Sequence, residues 1–223
     1  MKKIICIALS VLSVLAMGLS FGCKGSGDQV EPPVATKVRI PEKYKTNAWR
    51  QKSETEYFIA DYEHACELNC IDLFSSQFGT LKISSDYKTS GESSLKIEVI
   101  GNGIINAATQ ERPSMTVFTK DTNGDDDNPY VDAGIDLSVY RKVAFDIYNP
   151  MDVDSYIIVY IDSAQPPVTI PVEKGWNNIE LSLDTHDTWK VLTELRRVDF
   201  YFQRYENFGG IQTYYLDNFR MVK

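Results

Sequence analysis

Histidine and cysteine are scarce in this chain, and the scarcity removes whole classes of chemistry. Two histidines and four cysteines stand among 223 residues. His64 and His186 fall in no catalytic spacing, and no second Cys or His pair complements Cys66 and Cys70, which argues against a zinc site. Cys6 sits inside an N-terminal apolar run and Cys23 just beyond it, so only Cys66 and Cys70 remain for the folded part. Their Cys-x3-Cys spacing leaves a disulfide and two thiols equally open, because bridging depends on how closely the Cα atoms approach. Basic charge is short too. Lys and Arg number 23 against 31 Asp and Glu, a net charge of -8 that becomes about -10 when Lys2 and Lys3 are set aside with the leader. Such a surface repels nucleic acid phosphates and anionic lipid heads, so no nucleic acid partner is expected. No long helical periodicity and no internal repeat is visible, which argues against bundles and solenoids.

Long hydrophobic runs are limited to one. Lys2 and Lys3 precede an almost unbroken apolar stretch from Ile4 to Leu19, and Ser20, Phe21 and Gly22 lead into Cys23. The run is too short to span a bilayer comfortably and reads as an export signal. Small residues before a cysteine, with Lys-Gly-Ser-Gly-Asp after it, resemble the lipobox of bacterial lipoproteins, which implies that Cys23 becomes an acylated, palmitate-bearing first residue. An ordinary signal peptide cleaved nearby is the alternative. Several acyl chains would hold a domain stably, since each buried CH₂ contributes about 0.8 kcal/mol. Residues 24 to about 45, with Gly25, Gly27, Pro32, Pro33 and Pro41, have the composition of a spacer. The expected organisation is a signal over 1–22, an acylated cysteine and tether over 23–50, and one domain over 51–223, held at the bacterial envelope in the outer membrane with no other membrane contact.

What the chain does have is tyrosine, thirteen in all, within an aromatic share of 12%. That composition suits strands which show rings to solvent as well as to a core. Short alternating segments recur between turn signals: 57–62, 81–84, 94–100, 114–119, 142–148, 156–162, 178–183, 198–203 and 213–222. They predict an all-β fold, an antiparallel sandwich or barrel. The one helix candidate is Thr188 to Leu195. Strand parity separates two faces. Val143, Phe145, Ile147, Ile157, Val159, Ile161, Val198, Phe200 and Phe202 fall inward, while Asp146, Tyr148, Tyr156, Tyr160, Asp199, Tyr201 and Gln203 fall outward.

The order of signals carries a resemblance. Asp136-Leu-Ser-x-Tyr140, Val143-Ala-Phe-Asp-Ile-Tyr-Asn149, Lys174-Gly-Trp-Asn-Asn-Ile-Glu-Leu181 and Tyr214-Tyr-Leu-Asp-Asn-Phe-Arg220 follow one another, after an opening Phe58-Ile-Ala-Asp-Tyr-Glu63 and a hairpin from Lys88 to Val99. From about residue 56 to 223 this is similar to galactose-binding-like jelly-roll domains, and resembles carbohydrate-binding modules of the family 11 type. The resemblance implies a jelly-roll β-sandwich. It also implies a structural calcium where the opening strand meets the closing one, held by Glu63 and Asp217 with backbone oxygens of the hairpin from Lys88 to Gly91. A fold of this kind hosts many functions, so the ligand has to be argued from the site.

The outward set has the chemistry of a sugar site. A pyranose offers an apolar C–H face to an aromatic ring and hydroxyls to polar groups at the rim, and Tyr148, Tyr156, Tyr160 and Tyr201 with Asp146, Asp199 and Gln203 supply both. The expected function is non-catalytic binding of a polysaccharide or oligosaccharide. The alternatives are an adhesin or assembly subunit that packs this face on a protein partner, or a polysaccharide-degrading enzyme. No pair among Asp61, Glu63, Asp146, Asp162 and Asp199 is placed across a cleft by sequence. Trp176 is expected to cap the core and Trp189 to anchor the short helix. The acidic segment from Asp121 to Asp132 resembles an EF-hand loop but has Asp126 where the turn glycine belongs, and is read as a solvated hairpin loop.

Overall fold

Alternating apolar and polar side chains can bury one face only if two sheets stack, and the chain meets that demand in a computed structural model that describes residues 40–45, 47–74, 79–100, 114–119, 135–202 and 210–223. All of these lie in one compact unit spanning 37–223. The segments beyond them include Cys23, Gln203 and the acidic 121–132 loop. Among the described residues the strands are β1 (Glu56–Ala60), β2 (Ile71–Phe74), β3 (Gly79–Ser84), β4 (Ser94–Ile100), β5 (Ser114–Phe118), β6 (Ile135–Asp136) and β7 (Lys142–Asn149). They continue as β8 (Ser155–Ile161), β9 (Val168–Val172), β10 (Gly175–Ser182), β11 (Glu194–Leu195), β12 (Arg197–Phe202) and β13 (Ile211–Val222), with a short α-helix, α1 (Asp187–Lys190), between β10 and β11 and 3-10 helices at Glu42–Lys45, Asn47–Trp49 and Ala65–Cys70.

The first sheet has the order β10-β7-β13-β4-β3, with β1 paired to β13; the second has the order β2-β5-β12-β8-β9. All pairings between these strands are antiparallel. Successive strands cross between the sheets: β4 to β5, β7 to β8, β9 to β10 and β12 to β13 each change sides. That winding makes the sandwich a jelly roll. Where the sheets meet, Phe145 of the first packs edge-on against Phe200 of the second at 5.3 Å between ring centres, and Phe219 closes the triad at 5.7 Å from Phe200. Each is at most 1% exposed, so each stabilises the fold by about 1.5–3 kcal/mol.

Two boundaries differ from the sequence reading. The domain begins ahead of residue 51: Tyr44 is buried and donates from its hydroxyl to Asp61 Oδ1 at 3.2 Å, Lys43 pairs with Asp61 at 3.3 Å, and buried Arg50 donates to the carbonyl of Ile59. The helix stops at Lys190 instead of reaching Leu195, because Leu195 pairs with Ile135 as the two-stranded β6–β11 ladder and Thr119 Oγ1 donates to its carbonyl at 2.5 Å. Trp189 is fully buried in that helix, as its anchor role required. Cys66 and Cys70 are buried thiols with no bond between them. No helix among the described residues is long and apolar enough to cross a membrane.

Candidate binding faces

Of the outward residues named from parity, those described do point away from the sandwich interior, but they do not share one face. Asp146 and Tyr148 belong to β7 in the first sheet, whereas Tyr156 and Tyr160 on β8 and Asp199 and Tyr201 on β12 belong to the second. Parity tells which side of a strand a residue takes; it cannot tell which of two sheets the strand joins.

On the second sheet β8 and β12 are direct neighbours, with Asp199 opposite Tyr160 and Tyr201 opposite Ile158. The rings of Tyr160 and Tyr201 approach to 5.2 Å with planes 59° apart. Both are partly exposed, as is Tyr156, four residues from Tyr160 along β8. Beside them Asp199, itself 6% exposed, accepts from Thr116 Oγ1 at 2.7 Å and from Ser163 Oγ at 3.0 Å, with Arg197 Nε at 3.5 Å. Burial, and then the nearby Asp199 carboxylate and Tyr160, raise the Tyr201 phenol above its usual range. The result is a ring pair bordered by a carboxylate held in one orientation.

On the first sheet, pairing register sets a row across five strands: Trp176 opposite Tyr148, Tyr148 opposite Tyr215, Tyr215 opposite Lys96, and Lys96 opposite Lys82. Tyr87, from the β3–β4 hairpin, lies over the row, stacked on Tyr148 at 4.2 Å and edge-on to Tyr215 at 4.9 Å. Trp176 reaches Tyr148 at 5.1 Å. It does not cap the core, because β10 starts at Gly175 and its register turns this side chain outward.

One row along, Asp146 and Asp217 are cross-strand partners. Asp146 is 7% exposed and accepts from Asn178 Nδ2 at 2.5 Å, Asn218 Nδ2 at 2.7 Å and Thr89 Oγ1 at 2.8 Å, so it serves the hairpin instead of facing a ligand. Thr89 Oγ1 is also 2.9 Å from Asp217 Oδ2, and one hydroxyl proton cannot serve two carboxylates at once. Asp217 further accepts from the amides of Thr89 at 2.7 Å, Ser90 at 3.1 Å and Asn218 at 2.7 Å; burial, its largest influence, pushes its carboxyl above the usual range against those amides. Asn218 has φ 50°, at a register slip between β13 and β7 that marks a bulge.

Glu63 grips the same hairpin. Both its oxygens accept from the amide of Glu92 at 3.0 Å, and Oε1 also from Ser93 at 3.4 Å. Gly91 has φ +60°, which favours glycine, and a Cβ there would stand 1.7 Å from Glu63 Oε1, so a side chain would push the carboxylate off the amides it grips. Lys88 donates from Nζ to the carbonyl of Glu92 at 2.9 Å. The Glu63 and Asp217 carboxylate oxygens, which the resemblance assigned to calcium, thus face N–H and O–H donors here. A cation at Glu63 or Asp217 would have to displace those donors, and the set does not fit a ready-made oxygen cage.

An antiparallel sandwich with an aromatic outer face on each sheet is the class these features define. Scans against protein-family models and against curated proteins give no match. Among solved structures, the chain is similar to a family 11 carbohydrate-binding module from Clostridium thermocellum in complex with a β-1,3-1,4-mixed-linked tetrasaccharide, at 14% identity and TM-score 0.49 over 75% of this chain and 95% of that one. It is similar also to the family 11 module of the cellulosomal cellulase Lic26A-Cel5E of the same organism, at 13% identity and TM-score 0.47 over 75% and 94%. A third is a non-crystalline cellulose specific module, CBM28, at 14% identity and TM-score 0.45 over 74% and 93%.

Proposed function

We propose that the protein binds a neutral polysaccharide on the outer face of the second sheet, without chemical conversion. Tyr160 and Tyr201 stack on sugar rings and Tyr156 extends the platform, while Asp199, held by Thr116 and Ser163, fixes the polar border beside them. The observation that carries this reading is the Tyr160–Tyr201 ring pair, 5.2 Å apart and partly exposed, beside a carboxylate already oriented by Thr116 and Ser163. Rings already in place lose little conformational freedom on binding, which is where affinity for a flexible sugar is otherwise spent. Gln203, the remaining member of the outward set, lies just past the end of β12, outside the described residues. Native gels cast with neutral polysaccharides test the reading. Wild type should be retarded, and Tyr201→Ala should be retarded clearly less, with its melting temperature nearly unchanged. Equal retardation of both would contradict it.

The same proposal places the domain on a lipid anchor at Cys23. Labelling cells with a palmitate analogue should mark wild type and leave Cys23→Ser unmarked. Equal labelling would remove the anchor.

A further inference from the structure

The first sheet carries an aromatic surface that the reading above leaves unused. Trp176, Tyr148 and Tyr215 stand in cross-strand register, and Tyr87 is laid over them from the β3–β4 hairpin. In a purely structural ladder the outermost rings would shield one another from water. Here Tyr215 is shielded, at 4% exposed, while Tyr87 and Trp176 each keep 39% of their surface in solvent. They flank Tyr148 from two sides, one stacked flat at 19° and one tilted at 53°. The hairpin that presents Tyr87 is fixed at its far end by Asp146, Asp217 and Glu63, so the ring is held and not merely tolerated. Tyr215 adds a tie, donating from its hydroxyl to Asp86 beside Tyr87 at 3.2 Å.

We propose that Trp176, Tyr148 and Tyr87 form a second, separate glycan-binding platform on the sheet opposite the Tyr160–Tyr201 face. Its composition selects the ligand class. The apolar content consists of rings, which match the C–H faces of pyranoses, and exposed Asn178, two residues from Trp176 on β10, offers its side-chain carbonyl oxygen to hydroxyls while its Nδ2 holds Asp146. Bordering charges come as pairs, Lys174 with Asp152 and Lys96 with Glu98 at 2.7 Å, so an ionic ligand would find its counter-charge already taken. A neutral sugar chain suffers no such competition. The choice of a glycan over a protein rests on the reading of the second sheet; the platform itself does not. Two faces on opposite sheets make the domain bivalent, able to bridge two chains of one polymer.

The test uses the full chain with hydroxyethylcellulose, galactomannan and dextran as probes. Wild type should be retarded in native gels by at least one, and Trp176→Ala should lose the platform's share of that retardation, with affinity measured in a Tyr201→Ala background falling roughly tenfold or more, as expected for an aromatic anchor. Tyr201→Ala should keep the part due to the platform, and the double variant should lose all of it. Wild type should also turn a solution of the same polysaccharide turbid by bridging, and either single variant should not. Of the three tryptophans Trp176 is the exposed one, so its emission should shift on binding and the shift should vanish in Trp176→Phe. Tyr87→Ala, a change in a loop, serves if Trp176→Ala fails to fold. Retardation unaffected by Trp176→Ala and Tyr87→Ala, with no emission shift, would overturn the platform and leave the second-sheet reading intact. Loss of binding in Tyr201→Ala alone would do the same. Capture of a protein through Trp176 without any polysaccharide retardation would overturn both.

Discussion

Asp61 and Glu67 show how much one buried pair can govern. Glu67 is 1% exposed and accepts from the amide of Asp61 at 3.0 Å, while Asp61 is gripped by Lys43 at 3.3 Å and Lys52 at 3.7 Å. Burial first, and then the Asp61 charge, push the Glu67 carboxyl up to about 8. A folded-state value above the ordinary 4.5 means that the fold holds this proton more tightly than the unfolded chain does. The stabilisation is therefore complete below about 4.5 and is lost as pH rises through about 8. Melting temperature should fall across that window in wild type, and Glu67→Gln should flatten the fall. An unchanged slope would show that Glu67 is ionised at neutral pH. Nothing in the sequence marked this pair, since Glu67 lies in a six-residue 3-10 helix, Ala65–Cys70, too short to show a helical period. Asp61 stood among the acidic candidates for catalysis; the structure gives it to the attachment of residues 43–52 instead.

At the scale of elements, the β3–β4 hairpin carries the argument. It is fastened by Glu63 from beyond β1 and by Asp217 from β13, residues far apart in sequence, so loss of either carboxylate leaves backbone amides unpaired. Asp217→Ala should cost about 1–3 kcal/mol. Gly91→Ala should destabilise by a similar amount, because it adds both an unfavourable φ of +60° and a Cβ in the place of the Glu63 carboxylate. Thermal melts with and without chelator separate the two accounts of these carboxylates. If N–H donors hold the hairpin, chelator leaves the melting temperature unchanged; a fall restored by calcium would assign the carboxylates to a cation. The junction was legible in the sequence through the resemblance, which brought together Glu63, Lys88, Gly91 and Asp217. The donors that occupy those oxygens were not, because hydrogen bonds between distant loops leave no periodic trace.

For the whole molecule, alternation carried most of the fold. Nine segments with inward aliphatics and outward polar or aromatic residues all appear as strands, within a few residues at their ends. The strands that went unseen are those where alternation is too brief or broken: β2 is four residues, β6 and β11 two each, and β9 includes Pro171. Inward assignments were equally readable, since Phe145, Ile147, Ile157, Val159, Phe200 and Phe202 are all at most 1% exposed. The candidate site was read less well because sheet membership is a property of topology. Tyr148 and Tyr201 looked alike in sequence, yet they face opposite ways on opposite sheets, and Tyr87 gave no signal at all because it lies in a turn.

The central claim is that Tyr160 and Tyr201 bind sugar on the second sheet, and calorimetric titration tests it most directly. The titrant is an oligosaccharide cut from whichever neutral polysaccharide retards the wild type, and the titrations are run in a Trp176→Ala background so that the opposite sheet contributes nothing. Adding Tyr201→Ala should weaken binding roughly tenfold or more while the melting temperature holds, as expected when a partly exposed anchor ring is removed. The same affinity with and without the Tyr201 ring would contradict the account.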